Sequence, residues 1–346
     1  MAIKVAGLTK SYGDFSINLD FSVEDGETLV LAGPSGCGKT TALNLIAGFA
    51  REEGGTILID GKPVNHLPPW KRRMAVVFQD LALFPHLDVE KNIAYGPFIQ
   101  GIAPEERRRI TGEVLRIVRL GGYGKRPIET LSGGERQRTA IARALAVDPK
   151  VLLLDEPFSS LDAPLRRDLR REFLDIRAKS RQPCVFVTHD REEAAVLGDR
   201  IALMAAGRIV ETGSAREIFH SPKTEFGARF LGTGTVLPCK IEREEARGTR
   251  VRSSLGELLI PPGSACDPAG PRIFIPHDAL SLYGDSPAAF TALFLRGVFE
   301  GDRITLELEL PDGTGLTVKT GPRLEFPDQK SPMKWYVNQD LLRFVT

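Results

Sequence analysis

Three segments carry residue types at spacings that could do phosphate chemistry. Gly33-Pro34-Ser35-Gly36-Cys37-Gly38-Lys39-Thr40 fits G-x-x-x-x-G-K-[ST] at every fixed position, with an apolar run before it and a helical pattern after it. Glycines let backbone N–H groups turn inward around an anion, and the following helix offers its positive end to the same anion. Lys39 would bring a cation to the terminal phosphates, and the Thr40 hydroxyl suits Mg²⁺. This pattern with Thr41 predicts binding of a nucleoside triphosphate, and does not distinguish among the enzyme classes that use one. Val151-Leu152-Leu153-Leu154-Asp155-Glu156 puts two carboxylates at the end of an apolar run. At the carboxyl end of a buried strand, Asp155 could hold Mg²⁺ and Glu156 could polarise a water in line with the γ-phosphate. Leu131-Ser132-Gly133-Gly134-Glu135-Arg136-Gln137-Arg138, ahead of a helix expected over Thr139 to Ala146, offers a second helix N-terminus fit for an anion.

The elements that must position these groups read as alternating strands and helices up to about Gly232. Glu27 to Ala32, Val151 to Leu154 and Cys184 to Thr188 are short apolar runs suited to strands buried on both faces of a parallel sheet. Lys39 to Phe49 repeats apolar residues at Ala42, Leu43, Ile46 and Phe49, and Pro164 to Lys179 at Leu169, Phe173 and Ile176, as helices with one buried face do. Beyond Gly232 glycine and proline become frequent. Arg303 to Leu310 alternates polar and apolar residues, Pro311 to Gly315 is a turn, and Leu316 to Lys319 continues as a strand, which predicts a hairpin. Thr249 to Ile260 and Arg272 to Leu282 offer further short strands, so a small all-β domain is expected over 233–346.

Composition sets the bounds. The 346 residues suffice for about two domains, and 42% apolar and 26% charged residues with a net charge of +1 mark no general affinity for nucleic acid. Cys37, Cys184, Cys239 and Cys266 lie far apart without C-x-x-C spacing, which excludes a zinc site and a secreted disulfide framework and suits a reducing cytoplasm. No apolar run approaches the roughly 20 residues of a membrane-spanning helix, and the N-terminus lacks a signal-peptide core. A role at a membrane would therefore require a membrane partner.

The octet at Leu131 to Arg138 resembles the signature motif of ATP-binding-cassette (ABC) ATPases, with Glu135 where glutamine is also common. In that family Leu131, Ser132, Gly133, Gly134 and Glu135 would face the γ-phosphate of ATP held by a partner copy, two copies standing head to tail. Other segments fall in the family's order. Tyr12 resembles the aromatic residue that stacks on adenine, and Gln79 the glutamine that senses Mg²⁺ and the attacking water. Ser160-Leu161-Asp162 resembles the loop that crosses the dimer interface, and His189 the histidine that contacts the γ-phosphate. His66, His86, His220 and His277 form no constellation and are read as structural or surface residues.

The resemblance implies a P-loop NTPase (RecA-like) α/β core with an antiparallel β subdomain and a helical subdomain near 81–148, spanning 1–232. It implies a C-terminal OB-like (TOBE) β domain over 233–346 that regulates or dimerises, although Ile275 stands where arginine is usual in Arg272 to Asp278. It further implies ATP and Mg²⁺, a homodimer, and two permease subunits or one fused permease. An extracytoplasmic solute-binding protein would complete the system, with this chain peripheral on the cytoplasmic face of the inner membrane. The segment Phe84 to Gly96 is similar to importers for iron(III), polyamines, thiamine, sulfate or sugars, and the overall resemblance favours the iron(III), polyamine and thiamine group, with sulfate and sugar importers as alternatives. Soluble ABC proteins of DNA repair or translation are the rival class. They usually show two cassettes, coiled-coil insertions or zinc-ligand cysteines, which this sequence lacks.

Overall fold

The computed structural model describes residues 1–159, 161–267, 270–284 and 286–346. Contacts divide the chain into two units, Met1–Ala215 and Arg216–Thr346. The first contains strands β1 (Ile3–Tyr12), β2 (Phe15–Val23) and β3 (Thr28–Ala32), then helix α1 (Lys39–Ala47) and strands β4 (Gly54–Ile59), β5 (Lys62–Pro63) and β6 (Met74–Val77). Helices α2 (Val89–Ile99), α3 (Pro104–Ile117) and α4 (Gly133–Leu145) follow. Then come β7 (Val151–Asp155), α5 (Ala163–Ser180), β8 (Cys184–Thr188), α6 (Arg191–Leu197), β9 (Arg200–Ala205) and β10 (Arg208–Ser214).

Ten strands form one sheet in the order β5-β4-β1-β2-β10-β9-β3-β8-β7-β6. The segment β9-β3-β8-β7-β6 is parallel throughout, and every residue of β3, β7 and β8 is buried. Parallel strands covered on both faces must be apolar at both alternations, which is why these runs show no period of two. The carboxyl ends of β3 and β7 deliver the phosphate-loop glycines and the Asp155-Glu156 pair. The antiparallel strands β1, β2, β4 and β5 extend the other edge and place Tyr12 and Phe15 at the tip of the β1–β2 hairpin.

Helix α5 buries Leu169, Phe173 and Ile176 as the spacing predicts, and Phe173 meets Phe158 and Phe186 with ring centroids 6.0 and 5.8 Å apart. Helix α1 buries Ala42, Leu43 and Ile46 but stops at Ala47, where Gly48 takes the left-handed conformation (φ 86°) that closes a helix. Phe49 therefore lies outside the helix, 52% exposed, with its ring 5.7 Å from Phe78. Helix α4 begins six residues before the expected Thr139, because Ser132 caps it.

Helices α2, α3 and α4 form the helical part within 81–148. Its entry loop is locked by Asn92, fully buried, whose amide accepts from the Phe84 N–H and donates to the carbonyls of Phe84, Leu87 and Asp88. A buried amide with all its groups engaged is what holds an irregular loop in one conformation.

The second unit contains helices α7 (Ala215–His220, at the boundary) and α8 (Glu225–Leu231) ahead of the strands. The strands are β11 (Gly234–Glu245), β12 (Gly248–Ser253), β13 (Gly256–Ile260), β14 (Arg272–Pro276), β15 (Leu280–Ser281), β16 (Ala289–Phe299), β17 (Ile304–Glu309), β18 (Gly315–Thr320), β19 (Pro332–Val337) and β20 (Arg343–Val345). Two five-stranded antiparallel sheets, β13-β12-β11-β14-β20 and β15-β19-β16-β17-β18, enclose one core around Trp335, Phe290 and Phe344. The predicted hairpin is β17–β18. The expected boundary at 232/233 follows the change in composition, whereas contacts divide the chain at 215/216. Ala228 of α8 packs with Val236, Phe274 and Val345 of the sheet, so the helix groups with the strands. Ile275 is fully buried, while Arg272 at the other end of β14 pairs with Glu225.

His277 is half-buried at the end of β14, with Nε2 3.2 Å from the Gly232 carbonyl. Burial is the largest influence and pushes its pKa below the ordinary 6.5. The Gly232 contact and Asp278 oppose the fall, and Lys319 and Arg303 add to it. The unfolded chain then binds a proton that the folded chain resists, so stability is complete above about pH 6.5 and declines as pH falls through that value. Urea unfolding of a Trp70→Phe chain, followed by Trp335 fluorescence, is expected to give a lower midpoint at about pH 5.5 than at about pH 7.5, and His277→Gln to remove part of that difference.

Candidate nucleotide site

The loop leaving β3 has little freedom. A Cβ on Gly33 would lie 2.2 Å from the Met204 carbonyl oxygen, and one on Gly38 (φ 103°) would lie 2.6 Å from Ile17 Cδ1 and 2.7 Å from Phe15 Cζ. Only glycine fits at either position. Gly38 caps α1, and Lys39, its first residue, is 5% exposed. Lys39 Nζ donates to the carbonyls of Gly33 and Pro34, each at 2.9 Å, and lies 3.8 Å from Glu156 Oε1. Two of its three N–H groups thus engage the loop, and its charge faces a carboxylate. The Cys37 thiol is buried, and burial pushes its pKa up. Cys37 serves the turn with its backbone, its carbonyl accepting from the Gly207 N–H at 2.9 Å.

Glu156 follows β7 in the left-handed region (φ 44°), a conformation that costs a non-glycine residue about 1–2 kcal/mol. Three hydrogen bonds hold it there. Its N–H donates to the Val187 carbonyl at 3.0 Å, and its carbonyl accepts from the Ser159 N–H at 3.1 Å and the Ser159 hydroxyl at 2.9 Å. The turn carries the side chain to His189, whose Nδ1 lies 2.8 Å from Glu156 Oε2. The Glu156 carboxylate is therefore flanked by Lys39 on one oxygen and His189 on the other.

The Thr40 hydroxyl donates to Asp155 Oδ1 at 3.1 Å. Burial pushes the Asp155 carboxyl above its usual range, Thr40 opposes this, and the nearby Glu156 charge adds to it. A buried carboxylate whose main partner is a hydroxyl lacks a full positive charge. Thr40 and Gln79 line the loop cavity and Asp155 is joined to it through Thr40, so hydroxyl, amide and carboxylate oxygens are at hand for Mg²⁺, which prefers oxygen donors. These residues fit the ion. If bound there, it would supply charge neutralisation at the phosphate oxygens.

A cavity of about 780 Å³ opens over the loop. Of the expected residues Tyr12, Ser35, Gly36, Gly38, Lys39, Thr40, Thr41, Gln79 and Glu156 line it. Tyr12 is 44% exposed at the hairpin tip. Gly33 and Pro34 lie behind it as acceptors for Lys39, and His189 reaches it through Glu156. Phe15, Asn44 and Ala50 also line it. No motif marks these three, although the pairing of Phe15 with Tyr12 across a two-residue turn could have flagged Phe15.

The residues around Ser132 are absent from that lining. Ser132 Oγ accepts from the Glu135 N–H at 3.3 Å, and a Glu135 carboxylate oxygen accepts from the Ser132 N–H at 2.7 Å, forming a capping box. That second bond, with burial opposing it, holds the Glu135 carboxyl below the usual range. Gly133 and Gly134 form the first turn of α4. Cβ atoms there would lie 2.9 Å from Leu161 Cδ2 and 3.2 Å from Leu165 Cδ1, so the 161–165 segment rests against the glycines. Asp162 caps α5 by accepting from the Leu165 N–H at 3.1 Å. Ser160 lies outside the described residues. Arg143, on the same helix as the glycines, donates to the carbonyls of Leu81 and Ala82, two left-handed residues just after Gln79. One rigid helix thus bears both the second glycine pair and the anchor of the segment that follows Gln79.

A phosphate loop on a parallel sheet, a histidine at the end of the neighbouring strand and an acidic pair at the end of the next define a P-loop nucleoside triphosphatase. Residues 17–159 match the family described as "ABC transporter". The chain is 39% identical to the Fe(3+) ions import ATP-binding protein of Brucella abortus over 314 residues, covering 90% of this chain and 89% of that protein. It is 37% identical to the spermidine/putrescine import ATP-binding protein of Pseudomonas fluorescens over 340 residues, 94% of this chain and 91% of that one. A solved dimeric structure of the ATP-binding cassette MJ0796 in a post-hydrolysis state with ADP and Pi superposes with a TM-score of 0.54. It is 31% identical and covers 62% of this chain and 99% of that one. The chain belongs to the ATP-binding subunits of ABC transporters, as an ATPase of the importer type.

The close approach at Gly33 has a direct consequence. Gly33→Ala is expected to weaken ADP binding about tenfold or more, because the loop must shift to admit a methyl group. Calorimetric titration of the full chain with ADP reads this.

Proposed function

We propose that two copies of this chain bind two ATP molecules between them and that ATP hydrolysis drives import of a solute through partner permease subunits. The observation that carries this reading is the Glu156 carboxylate, held between Lys39 and His189 at the edge of the loop cavity. Lys39 leaves the loop carbonyls for the β- and γ-phosphates, which frees the Glu156 carboxylate to orient a water for in-line attack. His189 then contacts the γ-phosphate. Thr40, Asp155 and Gln79 hold Mg²⁺, Tyr12 stacks on adenine, and Ser35, Gly36, Cys37, Gly38 and Thr41 wrap the phosphates through backbone and hydroxyl groups. Catalysis in this scheme is positioning and charge stabilisation by groups fixed in advance.

The head-to-tail pair is supported by the separation of two anion-type sites within one protomer. Leu131, Ser132, Gly133, Gly134 and Glu135 lie off the cavity that holds Lys39, so a second copy is needed to bring such a set to each ATP. The dimeric ATP-binding cassette with ADP and Pi supports the same arrangement. The loop at Ser160, Leu161 and Asp162 crosses between the copies, and the C-terminal β unit regulates or strengthens the pair.

Among the described residues no helix is long and apolar enough to cross a membrane. We place the chain on the cytoplasmic face of the inner membrane, bound to two permease subunits or one fused permease, with an extracytoplasmic solute-binding protein. The solute belongs to the group of iron(III), polyamines and thiamine, a reading supported by relatives named for import of Fe(3+) and of spermidine and putrescine. Uptake assays on the reconstituted importer with that panel select among them. Stimulation by sulfate or a sugar alone would move the chain to the other importer group.

Glu156→Gln is expected to lower kcat by at least about a hundredfold while ATP still binds, and to trap an ATP-bound dimer. Steady-state ATPase rates and light scattering with ATP read both effects. Hydrolysis at the unaltered rate would remove Glu156 from this role.

A further inference from the structure

Arg166 sits in the first turn of α5, where the helix dipole disfavours a cation. Its guanidinium instead reaches out of the helix in two directions. Nη2 donates to the Leu161 carbonyl at 2.8 Å, and Nη1 donates to Asp190 Oδ2 at 3.3 Å. The Arg166 and Asp190 side chains are only 27% and 23% exposed, so solvent screens this pair less than a fully exposed one.

Each end of the bridge leads to a different part of the machinery. Leu161 rests on Gly133, where an added Cβ would lie 2.9 Å from its Cδ2. Asp190 follows His189 directly. Asp190 Oδ1 accepts from the N–H groups of Glu192 and Glu193, and its own N–H donates to Thr188 Oγ1 at 2.9 Å. Thr188 Oγ1 in turn donates to the buried Glu193 carboxylate at 2.5 Å. The backbone on both sides of His189 is therefore fixed by groups that Asp190 joins, and His189 Nδ1 is aimed at Glu156 Oε2 from that frame.

We infer that Arg166 is a positioning residue that ties the state of the Leu161 loop, and through it the glycine pair of α4, to the aim of His189 at Glu156. This rests on the roles given to Glu156 and His189 under the proposed function. When a partner copy displaces the Leu161 loop, the planar guanidinium passes the displacement to Asp190, because its two N–H groups are held in one rigid fork. Closure of the pair and alignment of the hydrolytic groups then occur together.

The test is a double-mutant cycle on the full chain, reading ATPase kcat, KM for ATP and the Hill coefficient. Arg166→Met is expected to lower kcat about tenfold, to leave KM within about twofold, and to bring the Hill coefficient toward unity. Asp190→Asn keeps the α6 cap but loses the charge, and is expected to lower kcat by a similar factor. The double variant should be no slower than the slower single variant, and Arg166→Lys should recover part of the loss. An Arg166→Met chain with unaltered kcat and Hill coefficient overturns the inference, as does a double variant slowed by the product of the single factors. If Arg166→Met does not fold, Asp190→Asn carries the test, and its turning over at the full rate overturns the inference. Glu156→Gln measured alongside separates the two levels. Silent Arg166 and Asp190 variants beside an inactive Glu156→Gln remove the coupling alone, whereas an active Glu156→Gln removes the reading beneath it.

Discussion

The structure depends on a buried ammonium group. Lys39 is almost wholly enclosed, and a charge in that position must be neutralised and hydrogen-bonded or the loop cannot close around it. The Gly33 and Pro34 carbonyls and the Glu156 carboxylate meet that demand, and each requires a particular backbone. Gly33 must lack a side chain to lie beneath the Met204 carbonyl, and Glu156 must adopt a left-handed turn that its neighbours hold in place. The ends of β3 and β7 thus meet around a single cation, with His189 after β8 against Glu156 and Met204 of β9 against Gly33. Parallel β pairing is what brings residues so distant in sequence into one plane.

A second constraint is the division of labour within the helical part. Helix α4 is capped by Ser132 and carries Arg143 about three turns further on, where it takes two carbonyls of the segment after Gln79. A rigid helix with one end at an anion-type turn and the other at the exit of the nucleotide cavity cannot move at one end alone. Rotation of this part as a body is the motion such wiring permits, and Asn92 keeps the adjoining loop from absorbing it.

Much of this was legible in the sequence. The three buried strands, the phosphate loop and the acidic pair announce themselves because their chemistry demands fixed residue types at fixed spacings, and the β17–β18 hairpin because alternation and turn residues coincide. Helix α4 starts at Gly133 rather than at Thr139, although two glycines discourage a helix by propensity. The capping box of Ser132 and Glu135 outweighs that tendency. Phe49 fitted the helical period of α1 but follows Gly48, whose left-handed backbone ends the helix. Arg143 and Arg166 are invisible for a different reason. Their roles come from tertiary partners at Leu81, Ala82 and Asp190, and neither periodicity nor local propensity encodes those.

Helix α8 bears on how such chains are assembled from parts. Its Ala228 covers Val236, Phe274 and Val345, the Glu225 N–H takes the carbonyl of Thr346, and Arg272 pairs with Glu225. The last residue of the chain is thereby fastened to a helix that precedes the first strand of the β unit. A cut or recombination point at Gly232 would strip a lid from an apolar patch and leave the C-terminus loose. Exchange of this β unit between related chains is structurally sound only when the two short helices travel with it, so the natural seam lies before α7, at a place that composition does not mark.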